Sequence, residues 1–504
     1  MSGVSEPGPG RLDPATPVLV GTGQVSNRVT DVTDAREPAE LIVDAARQAD
    51  VDAGGSRSVL GAVDVVGVAQ IVSWRYPDPG RVIASRLGIE PTQSVTTTTG
   101  GNSPQMLLNH LAGEIQGGRV RAALLCGGEA IDSRWRAMRE KVWLEWPEAP
   151  EGEPDRVLGD DRPGSHAAEV AVGLDQPIAV YPLLESAVRA STGASVAVHQ
   201  RHISELWSRF SAVAAANPYA WSRTPRTAEE IRTVSPTNRM IGFPYPKLMN
   251  SRIDVDQAAA VLLCSVEVAR DLRIPSDQWV FPQAGADGAD HYWVSEREFL
   301  SRSPAVRFAA RSALKLAGVG IDDVAQVDLY SCFPSAVQIA ATELGLGLDR
   351  PLTVTGGLGF AGGPANNYVT HSIATMVDRL RGADGAFGLC TAIGWYVTKN
   401  SVGVYSSRPP AGGFRHVNVQ REVDATPRRA LAEGYEGPVT IEAYTVMHDR
   451  DGSPWHGVAS GLTSDGARTW TQTDEPALVQ AMTHEDWCGR AAAVRNRELV
   501  ELPG

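Results

Sequence analysis

The sequence predicts an α/β fold made of two similar halves, followed by a smaller β-rich domain. Buried-strand patterns such as Pro17 to Gln24 alternate with helix patterns such as Glu37 to Asp50, which is typical of α/β proteins with a mostly parallel sheet. A similar order of patterns returns later in the chain, and past Pro409 and Pro410 the sequence changes to short β-like runs. These observations predict a duplicated chain with an added C-terminal domain.

The two halves can be aligned on their elements. In the first half a strand is predicted at Val63 to Gln70, a helix at about Ser103 to Gln116 and a strand at Arg121 to Cys126. The second half gives a matching list: helix Ser303 to Gly318, strand Gln326 to Ser331, helices Ser335 to Leu344 and Tyr368 to Arg381, and strand Ala386 to Cys390. The strand ends Cys126 and Cys390 fix the offset between the halves, and the same offset pairs Thr99 with Gly363. Both positions lie in Gly-rich loops just before a helix, which indicates internal pseudosymmetry.

A long insertion, roughly residues 131–252, separates the halves. It contains an acidic Pro/Gly stretch (PEAPEGEPDRVLGDDRPG), predicted to be a mobile surface loop. Its helical part, Tyr181 to Tyr219, carries His199 and His202, which are expected on a solvated face because no third ligand is spaced nearby. No metal site is predicted.

The C-terminal segment predicts a small β-barrel. Three β-like runs, Pro438 to His448, Trp455 to Leu462 and Ala467 to Thr473, are separated by turn signals, which favours a barrel of the OB type. The predicted domains are therefore residues 15–295, which include the inserted loop domain at about 131–252, then 296–408, and finally 409–504.

Composition narrows the functional classes. The 504 residues are 43% apolar, enough for more than one domain, and the formal net charge of -13 argues against binding to nucleic acid or to anionic membranes. The sequence shows no apolar run long enough for a membrane span, and residues 1–14 are expected to be disordered, without the apolar core of a signal peptide. Five widely spaced cysteines fit reduced thiols, and a cytoplasmic protein is predicted.

Several short motifs point to one family. They are Cys126-Gly127-Gly128-Glu129-Ala130, Asp256-Gln257-Ala258-Ala259-Ala260, Tyr330-Ser331-Cys332-Phe333, Gly362-Gly363-Pro364 and Cys390-Thr391-Ala392. In this order they resemble the Gly-Gly-x-Glu, Asp-Gly-Ala-Ala-Ala, Asn-Glu-Ala-Phe (or His-Asp-Cys-Phe), Gly-His-Pro and Cys-x-Gly stretches of the thiolase superfamily. The resemblance covers about residues 15–408.

Within that superfamily the chain resembles the sterol-carrier-type proteins of the type 1 thiolase-like branch, which carry an additional C-terminal domain. The resemblance implies a thiolase fold, with two pseudosymmetric halves in a five-layer αβαβα core. It also implies an acyltransferase related to acetyl-CoA acetyltransferases, acting on a coenzyme A thioester or lipid ligand in lipid metabolism, with no permanently bound cofactor. The family makes a homodimer possible, whereas the added domain makes a monomer possible.

The resemblance also identifies candidate catalytic positions, most of which are substituted. Thr99 stands at the position of the nucleophilic cysteine, Gly363 at that of the activating histidine, and Tyr330 at that of the Asn or His of the first oxyanion hole. Cys390 matches the acid/base cysteine. A threonine without a partnered base is a poor nucleophile near neutral pH, so ordinary thiolase activity is not expected. The Thr99 hydroxyl is instead predicted to cap the following helix.

Four further positions are predicted to bind substrate. Asn250 and Ser251 align with the family segment that contacts the pantetheine arm. Gly357 and Gly362 lie in the second Gly-rich loop, where small residues let a thioester carbonyl approach backbone N–H groups.

Three functions from different classes remain open at this point. The first is a divergent acyl-CoA enzyme that uses Cys390 or Tyr330 without covalent acylation. The second is a retro-aldol lyase of acyl-CoA or steroid side chains, since Tyr330 followed by Phe333 resembles the thiolase-like aldolases, which use tyrosines and an OB-type partner domain. The third is a non-catalytic protein that binds coenzyme A esters or lipids.

Overall fold

The computed structural model describes residues 12–501 of the chain. Residues 1–11 and 502–504 lie outside the described part, so the predicted disorder of residues 1–14 falls almost entirely outside it. None of the helices in the described part combines the length and the apolar character that a bilayer crossing requires.

The strands, numbered in chain order, are β1 Pro17–Ser26, β2 Val65–Val68, β3 Gln93–Thr97, β4 Ala122–Ala130, β5 Arg156–Leu158, β6 Met240–Phe243, β7 Tyr245–Pro246, β8 Asp256–Ser265, β9 Phe281–Ala289, β10 Val324–Asp328, β11 Phe387–Gly394, β12 Lys399–Ser406, β13 Arg415–Asn418, β14 Gly437–His448, β15 Pro454–Leu462, β16 Arg468–Thr473, β17 Ala491–Arg495 and β18 Glu498–Glu501.

The α-helices are α1 Pro38–Asp52, α2 Pro79–Leu87, α3 Ser103–Gln116, α4 Ile131–Glu140, α5 Ala167–Val170, α6 Pro177–Thr192, α7 Val196–Ala216, α8 Ala228–Arg232, α9 Val266–Asp271, α10 Pro304–Ala317, α11 Pro334–Leu344, α12 Tyr368–Arg381, α13 Gln420–Asp424 and α14 Pro476–His484.

Helix boundaries follow local chemistry. The Ser303 side chain accepts a hydrogen bond from the Val306 N–H and so caps α10, and Pro304 fills the first helical position, where its missing N–H costs nothing. Gly318 ends the helix with a φ of 75°, a left-handed conformation that glycine adopts without a Cβ clash. Short signals of this kind explain why the helix predicted at Ser303 to Gly318 is observed.

Two sheets and three helical layers form the core. The first sheet has the order β1-β8-β4-β2-β3-β5, and the second has the order β10-β11-β12-β9-β13. Helices α3 and α12 contact each other and both sheets, while α1 covers the outer face of the first sheet and α10 that of the second. Both central helices have the bounds predicted from the sequence, Ser103 to Gln116 and Tyr368 to Arg381. The five-layer αβαβα arrangement is confirmed.

The predicted pseudosymmetry is visible in the strand pairing. Strand β4 lies between a parallel neighbour, β2, and an antiparallel neighbour, β8. Strand β11 lies in the same way between β10, which is parallel, and β12, which is antiparallel. The match between Cys126 and Cys390 therefore joins equivalent strands of the two halves. The domain boundaries stay a prediction, although β9 joins the second sheet before the boundary placed at residue 295.

The acidic stretch of the insertion is more ordered than predicted. Its second half forms β5, which pairs in parallel with β3 at the edge of the first sheet. The Asp155 carboxylate accepts hydrogen bonds from the Ser94 N–H at 2.7 Å and from Arg81 at 2.8 Å. These contacts fix β5 on the sheet edge, and they depend on tertiary pairing that composition does not reveal.

His199 is also placed differently from the prediction. It is buried, and its Nε2 is hydrogen-bonded to the carboxylate of Glu185, which is itself fully buried and also contacted by Tyr245 and Gln338. His202 is exposed, as predicted. Across residues 12–501, no three His, Cys, Asp or Glu side chains are arranged to hold a metal ion. Burial on α7 was missed because the insertion packs against two other domains.

The C-terminal domain is a small closed barrel. Its strands follow one another around a ring in the order β14, β15, β16, β18, β17, with β17 returning to β14. Helix α14, between β16 and β17, buries Leu478, Val479 and Met482 against it. Strand β6 of the insertion pairs with the outer side of β14. The predicted β-rich domain is confirmed, and its OB type stays a prediction.

A buried arginine joins the barrel to the second half. Arg468 is fully buried, and its guanidinium donates to both carboxylate oxygens of Glu442, at 2.8 and 2.7 Å. It also donates to the backbone carbonyls of Val294, Ser295 and Arg297. A buried charge is tolerated when it is paired and its remaining donors are satisfied, so this contact holds the barrel in one position.

Glu129 connects the end of β4 to the loop after β2. Its buried carboxylate accepts hydrogen bonds from the Val72 N–H at 2.9 Å and from the Ser73 N–H at 2.8 Å. Burial raises the pKa of Glu129 to about 7, although these hydrogen bonds act in the opposite direction.

This raised pKa predicts a pH dependence of stability. The folded-state pKa of Glu129 lies above the ordinary value of 4.5, so the folded protein holds this proton more tightly than the unfolded chain does. The contribution of Glu129 to the unfolding free energy is therefore full below pH 4.5 and is lost as the pH rises through about 7. Relative to the Glu129→Gln variant, the unfolding free energy of the wild type should fall by about 2 kcal/mol between about pH 5 and about pH 8. Urea unfolding of both proteins at the two pH values measures this difference, and parallel pH profiles would contradict it.

Candidate functional site

Thr99 lies half-buried in the loop between β3 and α3. Its hydroxyl donates a hydrogen bond to the side-chain oxygen of Gln70 at 2.6 Å, instead of capping α3 as predicted. Gln70 follows β2, the neighbouring strand, so parallel strand ends bring the two residues together. An amide oxygen accepts a hydrogen bond but cannot remove the proton at neutral pH. Thr99 is thereby held as a donor without an adjacent base.

Asn366 connects this loop to the second half of the chain. Its Oδ1 accepts from the Gly100 N–H at 2.8 Å, and its Nδ2 donates to the Gln70 backbone carbonyl at 2.9 Å. Gly100 has a φ of 158°, which is close to extended backbone. The two Asn366 hydrogen bonds, and not a tight turn, therefore hold the loop in place. A backbone N–H at the start of α3 is therefore already occupied within the protein.

Lys399 holds the same loop from the other side. Its Nζ donates to the Thr99 carbonyl oxygen at 2.7 Å and also to the Asp160 carbonyl oxygen. The Thr98 hydroxyl donates to the same Asp160 carbonyl at 3.1 Å. Burial lowers the pKa of Lys399. The segment that follows β5 thus covers the Thr99 loop and is fastened to it by a lysine.

Tyr330 packs directly against the start of α3. A Cβ placed on Gly101 would lie 2.1 Å from the Tyr330 hydroxyl oxygen and 2.6 Å from the Ile393 carbonyl oxygen, so only glycine fits there. Tyr330 is 6% exposed, and within residues 12–500 its hydroxyl has no hydrogen-bond partner. Burial, with a smaller contribution from Cys332, raises the pKa of Tyr330 well above its ordinary value. The phenol therefore stays protonated and can act as a hydrogen-bond donor.

Cys390 lies deeper in the core than the Thr99 loop. At the end of β11 it is Gly394 that approaches the loop, since a Cβ on Gly394 would lie 3.2 Å from the Gly100 Cα. Cys390 precedes Gly394 by four residues, about 13 Å along a strand. Its Sγ accepts from the Ser372 hydroxyl at 3.5 Å, and burial raises the pKa of the thiol far above its ordinary range. In the family motif Cys-x-Gly the cysteine stands two residues before the glycine. The residue two positions before the contacting Gly394 is Ala392.

Gly363 belongs to a tightly packed loop. Its N–H donates to the Arg252 carbonyl at 2.8 Å. Gly362 has a φ of 112°, and a Cβ there would lie 2.1 Å from the side-chain oxygen of Gln257. Gly357, with a φ of 78°, is packed against the Phe210 ring and the Ser331 hydroxyl. Close packing explains why glycines stand in this loop. It does not test their predicted role in substrate binding, which stays a prediction.

A very small cavity lies beside this loop, next to Gly362. Its volume of about 10 Å³ is the size of a single water. His371 lines it, and its buried Nε2 has no partner among the described residues, while its Nδ1 is hydrogen-bonded to Gln24 at 2.9 Å. Burial lowers the pKa of His371 to about 3, so the imidazole is neutral. An acyl group could enter here only if the loop moved.

Asn250 and Ser251 are both engaged in packing contacts. The Ser251 hydroxyl donates to the Cys332 carbonyl at 2.9 Å, and the Asn250 Nδ2 donates to the Pro246 carbonyl at 2.9 Å. Asn250 Oδ1 is buried without a partner in the described part of the chain. Their predicted contact with pantetheine stays a prediction.

Gln70, Asn366 and Lys399 were not identified from the sequence. Each lies far in sequence from Thr99, and each contributes through a contact that depends on how the halves pack. One signal was available in the sequence. The offset between the halves pairs the Thr99 loop with the loop at Gly363, and this pairing places Asn366 near the start of a helix. That signal indicates the position of the loop and not the direction of its side chains.

Two findings relate this site to known proteins. Residues 418–498 match the family described as thiolase-like protein type 1 additional C-terminal domain. The chain is also 34% identical to a monomeric SCP2-thiolase-like protein type 1 from Mycobacterium smegmatis. That crystal structure superposes with a TM-score of 0.83, and the alignment covers 98% of this chain and 100% of that one.

More distant relatives share parts of the chain. The Ltp2-ChsH2(DUF35) aldolase is 18% identical with a TM-score of 0.59, covering 78% of this chain and 99% of that one, and this likeness concerns the fold alone. An acetyl-CoA acetyltransferase from Methanothermobacter thermautotrophicus is 29% identical over 189 residues, which cover 34% of this chain. The chain spans about half, 47%, of that curated relative's length.

The contacts of Asn366 predict a measurable loss of stability on substitution. Asn366→Ala removes two hydrogen bonds and leaves the buried Gly100 N–H unpaired, so the unfolding free energy should fall by about 1–3 kcal/mol. Asn418→Ala is the control, because the Asn418 side chain accepts only from the exposed Gln420 N–H, and its effect should stay within about 0.5 kcal/mol. Equal urea midpoints for Asn366→Ala and the wild type would refute the role of Asn366.

Proposed function

The chain belongs to the SCP2-thiolase-like proteins of type 1, and from that membership we propose that it binds a coenzyme A thioester of lipid metabolism without forming an acyl-enzyme at residue 99. The observation that carries this proposal is the hydrogen bond from the Thr99 hydroxyl to Gln70. A nucleophilic hydroxyl must transfer its proton to a base, and here the acceptor is an amide oxygen. Gly363, at the position of the histidine, has no side chain to replace it.

The surroundings of Thr99 support the same conclusion. The nearby cation, Lys399, directs its hydrogens at two backbone carbonyls, so it is engaged as a donor. The Gly100 N–H, in the loop just before α3, is taken by Asn366. A thiolase needs a thiolate and free N–H donors at this helix end, and this chain fills the space with its own polar groups.

Tyr330 is the group we assign to the bound thioester. Its protonated phenol lies against Gly101 and has no partner among the described residues, so it can donate to a thioester carbonyl oxygen. We assign the position of the acid/base cysteine to Ala392, because Gly394 is the glycine that contacts the Thr99 loop. Cys390 then serves the core and not the reaction.

A lyase is the second candidate, and one observation favours it. A protonated tyrosine beside the helix start can donate a proton in carbon–carbon cleavage, which is a role that does not need residue 99 to be a cysteine. The Ltp2-ChsH2(DUF35) aldolase has a related fold, and this chain carries its barrel on the same polypeptide. Release of an aldehyde or ketone from a β-hydroxyacyl-CoA would favour this candidate.

The covered sheet edge bears on the oligomeric state. Strand β3 has β5 of the same chain on its outer side. An edge strand that is already paired offers no free row of backbone groups to a second copy. We therefore propose a monomer, the state of the Mycobacterium smegmatis relative.

The first test asks whether residue 99 is acylated. After incubation with acetyl-CoA or acetoacetyl-CoA, intact-protein mass spectrometry should show no acyl adduct on the wild type, because the Thr99 hydroxyl lacks a base. The Thr99→Cys variant is the matched control, in which a thiol at a helix start should collect an adduct. An adduct mapped to Thr99 in the wild type would overturn the proposal.

The second test concerns Tyr330. Calorimetric titration with a non-hydrolysable acyl-CoA analogue should give a dissociation constant about 2–10 times weaker for Tyr330→Phe, since one neutral hydrogen bond is lost. Tyr435→Phe is the control, because Tyr435 lies in the barrel and donates to the Pro438 carbonyl. Unchanged affinity in Tyr330→Phe would remove Tyr330 from the binding site, and absence of any wild-type binding would refute the thioester ligand itself.

A further inference from the structure

A cavity lies where α10 begins, between the second half and the segment that leads into the barrel. Its volume is about 250 Å³, and His291, Phe299, Arg302 and Thr426 are among its lining residues. An open groove of about 800 Å³ continues from it between α10 and α11. Arg302 and Arg307 line both, so cavity and groove form one continuous surface.

The groove is strongly basic for a chain with a net charge of -13. Arg307, Arg311 and Lys315 follow one another at four-residue spacing on α10, which puts them on one face, about 6 Å apart along the axis. The one carboxylate in the groove lining, Glu343, has a buried side chain bonded to Arg302 at 2.7 Å and paired with Arg307 at 3.9 Å, which leaves Arg311 and Lys315 uncompensated. Arg311 and Lys315 are exposed, and within residues 12–500 neither makes an ion pair.

The cavity adds features that favour an anion with a hydrogen-bonding part. The N-terminus of the 14-residue helix α10 lies at its wall, through Pro304. His291 is 2% exposed, and its Nδ1 has no partner in the described residues. The Thr426 hydroxyl donates to the Val423 carbonyl and accepts from His291 Nε2, so Nδ1 is the ring nitrogen left without a hydrogen bond.

The carboxylates that line the cavity are compensated. Asp290 accepts from the Ser303 hydroxyl and from the His291 N–H, and it faces the buried Arg297. Glu298 pairs with Arg429 at 3.5 Å. The uncompensated charge of the whole surface is therefore positive and lies on α10.

Apolar surface is present beside the cations. Phe299, at the cavity wall, is 58% exposed, and Leu314, Val319 and Ile321 line the groove. A ligand that used all these groups would carry an apolar or aromatic part together with more than one negative charge. A concave cavity of about 250 Å³ beside the basic row has a size that favours a small molecule over an acidic protein segment.

We propose that the cavity and the α10 groove bind a phosphate-bearing small molecule with a ring, whose phosphates lie along Arg307, Arg311 and Lys315 and whose ring enters beside Phe299. The site is separate from the Thr99 loop, and it does not depend on the proposed thioester function. The same chemistry is found in a free nucleotide and in the nucleotide part of coenzyme A.

Adenosine diphosphate is a suitable probe ligand for the full-length protein. Isothermal titration should detect binding to the wild type, and the affinity should fall as NaCl concentration rises, because exposed charges are screened. Arg311→Gln/Lys315→Gln should weaken binding by about tenfold or more. Arg139→Gln/Arg270→Gln is the matched control, since it removes the same charge at exposed positions elsewhere and should leave affinity within about twofold.

Further titrations separate the alternatives. Adenosine should bind more weakly than adenosine diphosphate, and pyrophosphate should retain part of the affinity. If coenzyme A competes with adenosine diphosphate, the ligand's source includes the coenzyme; if it does not, the ligand is a free nucleotide-like phosphate. The proposal fails if the wild type does not bind adenosine diphosphate, if the Arg311/Lys315 variant binds it as well as the wild type does, or if only poly-glutamate binds.

Discussion

The hydrogen bond from the Gly100 N–H to Asn366 joins the two halves of the chain in the loop just before α3. A buried backbone N–H must find a hydrogen-bond partner. Here the partner is a side chain from the opposite half, and the same asparagine reaches the Gln70 carbonyl. The arrangement fixes how α3 and α12 lie between the two sheets.

The other contacts of the loop follow from this junction. Once α3 begins at a fixed point, Gly101 is pressed against Tyr330, and Lys399 can hold the Thr99 carbonyl together with the segment after β5. That segment covers both the loop and the sheet edge. The polar groups of the Thr99 loop are therefore engaged within the protein, by Gln70, Asn366 and Lys399.

Charges are distributed in two ways. Inside the protein, buried charges are held by specific partners, as with Arg468, which is bound to Glu442 and three carbonyls, and Glu129, which is bound to two N–H groups. On the outer helix α10, Arg311 and Lys315 are left without partners in a chain that is acidic overall. Buried charges without partners cost several kcal/mol, whereas exposed ones cost little, so the unpaired cations on the surface are free to bind a ligand.

The sequence alone determined the fold class, the duplication and the added barrel, because strand and helix periodicities, Gly-rich loops and turn signals are local and repeat in both halves. It also predicted, from family motifs, that Thr99, Tyr330 and Gly363 are substituted catalytic positions, and this stays a prediction. Tertiary structure decided the rest. Gln70, Asn366 and Lys399 reach Thr99 from distant segments, His199 is buried against Glu185, β5 covers the sheet edge, and Gly394 instead of Ala392 meets the loop. Side-chain direction and contacts between segments far apart in sequence are set by packing, and no local pattern encodes them.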